Sequence, residues 1–170
     1  VARTVMRTNT TAIGALQVRR GEADGMICGI VGQFMKHYHD VVDIVGLRPG
    51  VETAAALSCV IVQKGTFFIT DTHVNPEPSA SQISEVTLLA SDEIRKFGIE
   101  PRVALISHSN FGTHRDEAAQ KMRSVYHDIR TREPGLMIDG EMHADVALSE
   151  EIRDAIMPGS TLKGAANFLV

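Results

Sequence analysis

The chain has 170 residues, 44% of them hydrophobic and 22% charged, with a net charge of −4. That is about one domain's worth of globular protein, with enough apolar residues for one sizeable core. The absence of basic blocks and of Trp leaves no electrostatic footprint for nucleic acid or anionic membrane, and no apolar run approaches the ~20 residues that cross a bilayer.

Ala12, Ile13, Leu16 and Val18, followed by Arg19, Arg20 and Gly21, predict a helix over 9–20 that stops on glycine. Glu22 to Gly25 reads as a turn, and Met26-Ile-Cys28 as a short buried strand ending at Gly29. A second helix is expected over 32–45, with Phe34, Val41, Val42, Ile44 and Val45 available to one face. Gly46-Leu-Arg-Pro-Gly50 is a loop, because Pro49 forces Arg48 to be extended. Two β-rich runs, 54–62 and 66–70, flank Gln63-Lys-Gly65 and predict a hairpin. The proline-stiffened loop 71–78 then leads into a long helix over 79–97, closed by Gly98.

The stretch 102–112 organises the rest. Val103 to Ile106 is apolar and partly β-branched, as expected of a strand buried on both faces. Ser107, His108, Ser109 and Asn110 cannot continue that strand, and a helix is expected over 116–132. Two readings fit. One is a well-made strand-to-helix turn with Thr113 as cap; the other is a loop that points N–H groups and hydroxyls at a ligand beyond the sheet's carboxyl edge. After Pro134-Gly135, Leu136-Met-Ile138 reads as a strand, 139–145 as its exit loop and 149–156 as a helix, with a last strand inside 162–170.

Helices alternating with short buried strands predict an α/β three-layer sandwich on a mostly parallel sheet, which the hairpin makes mixed. The chain opens at Val1 without an initiator Met and closes on the apolar Phe168-Leu-Val170. It is therefore expected to be a single domain cut from a longer protein.

Four predicted strand exits could carry chemistry: Cys28-Gly29, 71–75, 107–110 and 139–143. Asp71, His73, Glu141 and His143 match neither the H-E-x-x-H nor the cysteine-pair spacing of a metal site, so they are read as caps and loop ties. His37 and His39 lie two apart on a helix and face different ways, as solvated surface. Ser107 and Ser109 lack the G-x-S-x-G elbow of a nucleophile, and no G-x-G-x-x-G or Walker motif is present. No catalytic residue is assigned. Cys28 and Cys59 stand apart in apolar contexts and are expected to be buried free thiols in a reducing cytoplasm.

Five stretches are familiar together: 19–29, 45–51, 68–75, 103–112 and 139–148. They resemble the phosphate acetyltransferase (phosphotransacetylase) family, most of all the version fused to the carboxyl side of bacterial NADP-dependent malic enzymes. Gly21-Glu-Ala-Asp-Gly25 lies in the part shared with free-standing phosphotransacetylases. Gly46-Leu-Arg-Pro-Gly50 and Ser107-His-Ser-Asn-Phe-Gly112 look specific to the malic-enzyme branch. The resemblance implies a two-domain fold similar to the isocitrate and isopropylmalate dehydrogenases, with a cleft for coenzyme A and acyl phosphate. This chain would be the inner domain, without the outer domain or the downstream Asn-Asp-Leu-Ser-Arg-Gly segment that carries catalysis.

In the malic-enzyme branch the resemblance implies a regulatory unit that senses acetyl-CoA and forms homo-oligomers. It would serve a cytoplasmic enzyme that oxidatively decarboxylates malate to pyruvate. NADP and a divalent metal would be held elsewhere in the same polypeptide, and neither nucleic acid nor membrane would be a partner. The alternative is a fragment of an active phosphate acetyltransferase, which exchanges acetyl between coenzyme A and phosphate. Active enzymes usually carry Ser-Gly-Ala with His and Thr after the shared motif, whereas this chain has Cys28-Gly-Ile-Val-Gly-Gln-Phe34, which lacks those hydroxyls. Cys28, Gly29, His73, Ser107, Ser109 and Asn110 are the implied cleft-lining positions, with Ser107 and Asn110 the best ligand contacts because short amides and hydroxyls at a helix amino end meet acyl or phosphate oxygens. Arg48 is either an anion contact or a surface arginine.

Overall fold

A computed structural model describes residues 2–170, and packing divides the chain into two compact units, Val1–Glu52 and Thr53–Val170. The first unit holds α1 (Ala2–Thr8), α2 (Thr10–Arg19) and α3 (Phe34–Val45). Asn9 caps α2, its Oδ1 accepting from the Ala12 N–H at 3.1 Å, and its amide donates to Asp40 in α3 at 2.8 Å. A contact of 2.7 Å between Thr11 Oγ1 and His37 Nδ1 adds a second tie between the helices. Only Thr11, Ala12 and Ala15 of these two helices are buried.

The strand expected at Met26–Cys28 does not form. A strand needs a ladder partner, and the described residues of this unit contain no other strand. Ile27, Ile30 and Val31 lie fully or largely in solvent. Cys28 is consequently exposed, and Cys59 is exposed on a sheet edge, so both thiols are free but neither is buried as expected.

The second unit is built on five strands: β1 (Ser58–Val62), β2 (Gly65–Ile69), β3 (Arg102–Ile106), β4 (Met137–Met142) and β5 (Phe168–Leu169), in spatial order β1-β2-β5-β3-β4. β1 and β2 form the predicted hairpin, while β2, β5, β3 and β4 run parallel to one another. The sheet is thus mixed and mostly parallel. Strand alternation sorts the core onto two faces. Val103, Leu105, Ile138 and Phe168 pack under α4 (Ala80–Lys96) and α5 (Glu117–Arg132), through Ile94, Val125 and Ile129. Ala104 and Met142 pack on the other face against Val146 and Ala147 of α6 (Ala144–Leu148), joined by Leu162 and Ala166. Helices therefore cover both faces of the sheet.

Each boundary has a local cause. Ser79 and Gln82 form a reciprocal capping box at the start of α4. Asp116, not Thr113, caps α5: its Oδ1 accepts from the Ala119 N–H at 3.1 Å, while Thr113 Oγ1 accepts from the Asn110 N–H at 3.0 Å and closes the preceding turn. The run 139–142, expected as a loop, makes up the last four of the six residues of β4. Its acids are buried because intrachain donors meet them: Asp139 accepts from Ser160 Oγ at 2.7 Å and from the Thr161 N–H at 2.8 Å. Gly140 is required beside β3, since a Cβ there would stand 2.8 Å from the Leu105 carbonyl oxygen. Ser149 caps α7 (Glu150–Ile156), whose Arg153 is wholly buried and donates to the carbonyls of Val146, Ala147, Leu162 and Gly164.

Candidate functional site

Because β2, β5, β3 and β4 are parallel, the loops that leave β2 and β3 and the end of β4 emerge along one edge of the sheet. This is the edge at which open α/β sheets place their ligands. The predicted candidates Ser107, Ser109 and Asn110 share the β3 loop, and His73 lies on the β2 loop of the same edge. Cys28, Gly29 and Arg48 belong to the first unit, where Cys28 and Gly29 line a separate cleft of about 420 Å³ with Phe34, His37 and Tyr38.

The β3 loop takes its shape from the end of β4. The Ser107 N–H donates to the Met142 carbonyl at 2.9 Å and the Phe111 N–H to the Glu141 carbonyl at 2.8 Å. Asn110 Oδ1 accepts from the His143 N–H, and His143 Nε2 donates to the His108 carbonyl, both at 2.8 Å. Beneath the loop lies Glu141, with no exposed surface. Its Oε1 accepts from Ser109 Oγ at 2.7 Å and from the Gly112 N–H at 2.9 Å. Its Oε2 has no hydrogen bond, but Arg123 Nε of α5 stands 3.4 Å away.

Ser109 is therefore an anchor rather than a ligand contact: it is fully buried, gives its proton to Glu141 and accepts from the His114 N–H. Ser107 and Asn110 remain for a ligand. Both are half-buried, and the Asn110 amide nitrogen donates to no group among the described residues. His108 Nε2 donates to Asp116 Oδ2 at 2.9 Å on the outer rim, with the His114 ring edge-on to it. The hydrogen bond from His108, reinforced by the Ala119 N–H, holds the Asp116 carboxyl at about 2, below its ordinary 3.8.

The β2 loop is tied differently. Asp71 collects the N–H groups of Ala56, His73, Val74 and Asn75. Burial works to raise its pKa, but these donors and the Asn75 amide outweigh it and hold the carboxyl low. A cleft of about 210 Å³ opens beside it, lined by Thr70, Asp71, Asn75, Gln82 and Val170. Among the described residues no group of three or more His, Cys, Asp or Glu side chains is placed to hold a metal ion, and no helix is long and apolar enough to cross a membrane.

The sequence matches the phosphate acetyl/butaryl transferase family over residues 1–170. The chain belongs to that family. It is 54% identical over 169 residues to the NAD-dependent malic enzyme of Rhizobium meliloti and 52% identical over 169 residues to the NADP-dependent malic enzyme of Escherichia coli, covering 99% of this chain and 22% of each relative. It thus spans about a fifth of the length of these family relatives. Identity to the phosphate acetyltransferase of Synechocystis is 30% over 163 residues, 96% of this chain and 23% of that protein. Among solved structures, the EutD phosphotransacetylase from Staphylococcus aureus superposes with a TM-score of 0.84 at 25% identity, over 95% of this chain and 50% of that one.

Glu141, read from the sequence as a cap or loop tie, ties the β3 loop through Ser109 and Gly112, whereas Arg123 is the partner that sequence reasoning missed. Arg123 stands in the middle of α5 and carries no local sequence signal.

Proposed function

We propose that this chain is the phosphotransacetylase-like unit of a malic enzyme, and that it senses acetyl-CoA and supports assembly rather than transferring acetyl groups. One observation carries the reading: identity is 52–54% to malic enzymes across essentially the whole chain, against 30% to a phosphate acetyltransferase. The exposed loop Cys28-Gly-Ile-Val-Gly-Gln-Phe34, which lacks the hydroxyls usual in active transferases, supports it. So does Ser109, whose hydroxyl is already committed to Glu141.

In this reading the chain is the inner domain of a larger region, similar in fold to the isocitrate and isopropylmalate dehydrogenases, within a cytoplasmic homo-oligomer. The polypeptide would oxidatively decarboxylate malate, with its nicotinamide and divalent-metal sites outside this chain. Relatives at 49–52% identity are named for NADP and one at 54% is named for NAD, so the relatives' names support NADP. Ser107 and Asn110 would donate to acyl or phosphate oxygens of acetyl-CoA from the β3 loop, with His73 on the neighbouring loop. Cys28, Gly29 and Arg48 remain candidates within their own unit.

The test is malate decarboxylation by the full-length protein at subsaturating malate, with and without acetyl-CoA. Acetyl-CoA is expected to lower the rate, and Asn110→Ala to raise the half-effective concentration about tenfold, the loss of ~1.4 kcal/mol of binding. Family membership favours a second reading, a working phosphate acetyltransferase. Indifference of malate turnover to acetyl-CoA, together with acetyl phosphate formation from acetyl-CoA and phosphate, would establish that one instead.

A further inference from the structure

Small polar residues at a strand exit do not hold one shape by themselves, since each backbone N–H there could equally bind water. The β3 loop holds its shape through a closed ring of four residues. Glu141 Oε1 accepts the Ser109 hydroxyl; Ser109 Oγ accepts the His114 N–H at 3.1 Å; the His114 carbonyl accepts from Arg123 Nη2; and Arg123 Nε faces Glu141 Oε2 at 3.4 Å. The Gly112 N–H, bound to the same Glu141 oxygen as Ser109, fixes the loop between those points. Residues 109 to 114 are thereby fastened from below by one carboxylate on β4 and one guanidinium on α5.

We infer that Glu141 is the positioning residue that makes the β3 loop competent to hold its ligand, with Arg123 as its counter-ion. The inference rests on reading that loop as the acetyl-CoA site. Its physical basis is the concentration of anchors on a single group. Glu141 has no exposed surface and makes no contact with solvent, so it acts on the ligand only through the loop. Ser107 and Asn110 flank Ser109, the ring's first link, and the Asn110 amide oxygen is held by the residue two beyond Glu141. Displacing Ser109 would therefore move both candidate donors. The charge matters as well as the shape, because the ring closes through an ion pair shielded from water on the carboxylate side.

The experiment uses the full-length protein, with acetyl-CoA as the probe and amide hydrogen exchange as a ligand-free readout. In Glu141→Leu, which keeps the volume and removes both oxygens, exchange at Gly112 and His114 is expected to accelerate at least tenfold while 103–105 stay protected. The Kd for acetyl-CoA should rise at least tenfold. Glu141→Gln still offers one acceptor oxygen to Ser109 and Gly112 but loses the charge that faces Arg123, so it should restore only part of both losses. Ser109→Ala removes both bonds of the serine hydroxyl but leaves the Gly112 N–H on Glu141, and it provides a second route if the leucine variant does not fold: exchange should rise at His114 and not at Gly112. Unchanged exchange at Gly112 and His114 in Glu141→Leu, or equal effects at both amides in Ser109→Ala, overturns the inference. A wild-type protein that fails to bind acetyl-CoA would instead remove the proposed function, and the exchange pattern would still decide the role of Glu141.

Discussion

The two units of the chain solve the same problem with very different means. In Thr53–Val170 the sheet is covered on both faces, and Ile94, Val103, Leu105, Ile129, Ile138 and Phe168 are all but inaccessible. In Val1–Glu52 two helices are held by polar ties, Asn9 to Asp40 and Thr11 to His37, and the segment between them leaves Ile27, Ile30 and Val31 in water. Burial of apolar area contributes about 25 cal/mol per Å², so the second unit carries nearly all of the hydrophobic stabilisation. Fold and site geometry of the β3 loop depend on that unit, whereas the family motif around Gly25 lies in the weakly packed one.

The largest effect expected to sharpen this contrast is at Arg153. Its guanidinium fills a fully buried position and serves four carbonyls, of which that of Ala147 also accepts from the Ala166 N–H at 2.9 Å. Arg153→Ala takes the guanidinium from the carbonyls of Val146, Leu162 and Gly164 and leaves a cavity behind, while Ala147 keeps its bond from the Ala166 N–H. Each unmet buried acceptor costs about 1–3 kcal/mol, and partial rehydration limits the sum, so a loss of about 3–5 kcal/mol is expected in denaturant unfolding. A loss below 1 kcal/mol would mean that water replaces the guanidinium without penalty, and the second unit would be less dry than its packing indicates.

Acid should produce a smaller effect, and one that the two units share. Asp116 sits at about 2, chiefly through the His108 hydrogen bond, and Asp71 is held low by its N–H donors against the opposing effect of burial. In the first unit Asp40 is lowered by the Asn9 amide and then by Lys36. All three are depressed in the folded chain, so each contributes stability that is present above the ordinary carboxylate value and lost as pH falls. For Asp116 the window runs from 3.8 down to about 2. Carboxyl titration by NMR should place its midpoint near 2 and return it towards 3.8 in His108→Ala. An unmoved midpoint in that variant would show that the α5 cap alone, through Ala119, sets the value.

Much of the architecture was legible because its signals are local. The Gly98 stop of α4, the glycine-closed hairpin and the period of α5 all lie within a few neighbouring residues. The misreadings have tertiary causes. Met26-Ile-Cys28 has the composition of a buried strand, but composition cannot supply a ladder partner. Asp139 and Glu141 look like loop residues until Ser160, Thr161, Ser109 and Gly112 are brought against them from distant positions. The five residues of α6 and the seven of α1 are too short to show a helical period. At the site, the β3 loop was visible from its polar run after an apolar strand. The division of labour within it was not, because whether Ser109 is anchor or contact depends on the carboxylate of the neighbouring strand.

The smallest effect is the one most able to break the contrast. Ile30 is fully exposed and sits at φ 67°, a backbone region unfavourable to a β-branched side chain. Ile30→Gly removes a side chain that buries nothing in this unit and relieves a strain of roughly 1–2 kcal/mol per left-handed residue, offset by glycine's greater freedom in the unfolded chain. The net expectation is a change between zero and about 1 kcal/mol in favour of the folded state. Unfolding of the 170-residue chain and of the full-length protein should agree on this value. A loss near 2 kcal/mol in the short chain would mean that Ile30 is buried in solution, and the first unit would then have an apolar core of its own. A loss confined to the full-length protein would mean that the segment after Gly25 is covered there by a part of the polypeptide outside these residues, so that its apolar character is an interface property.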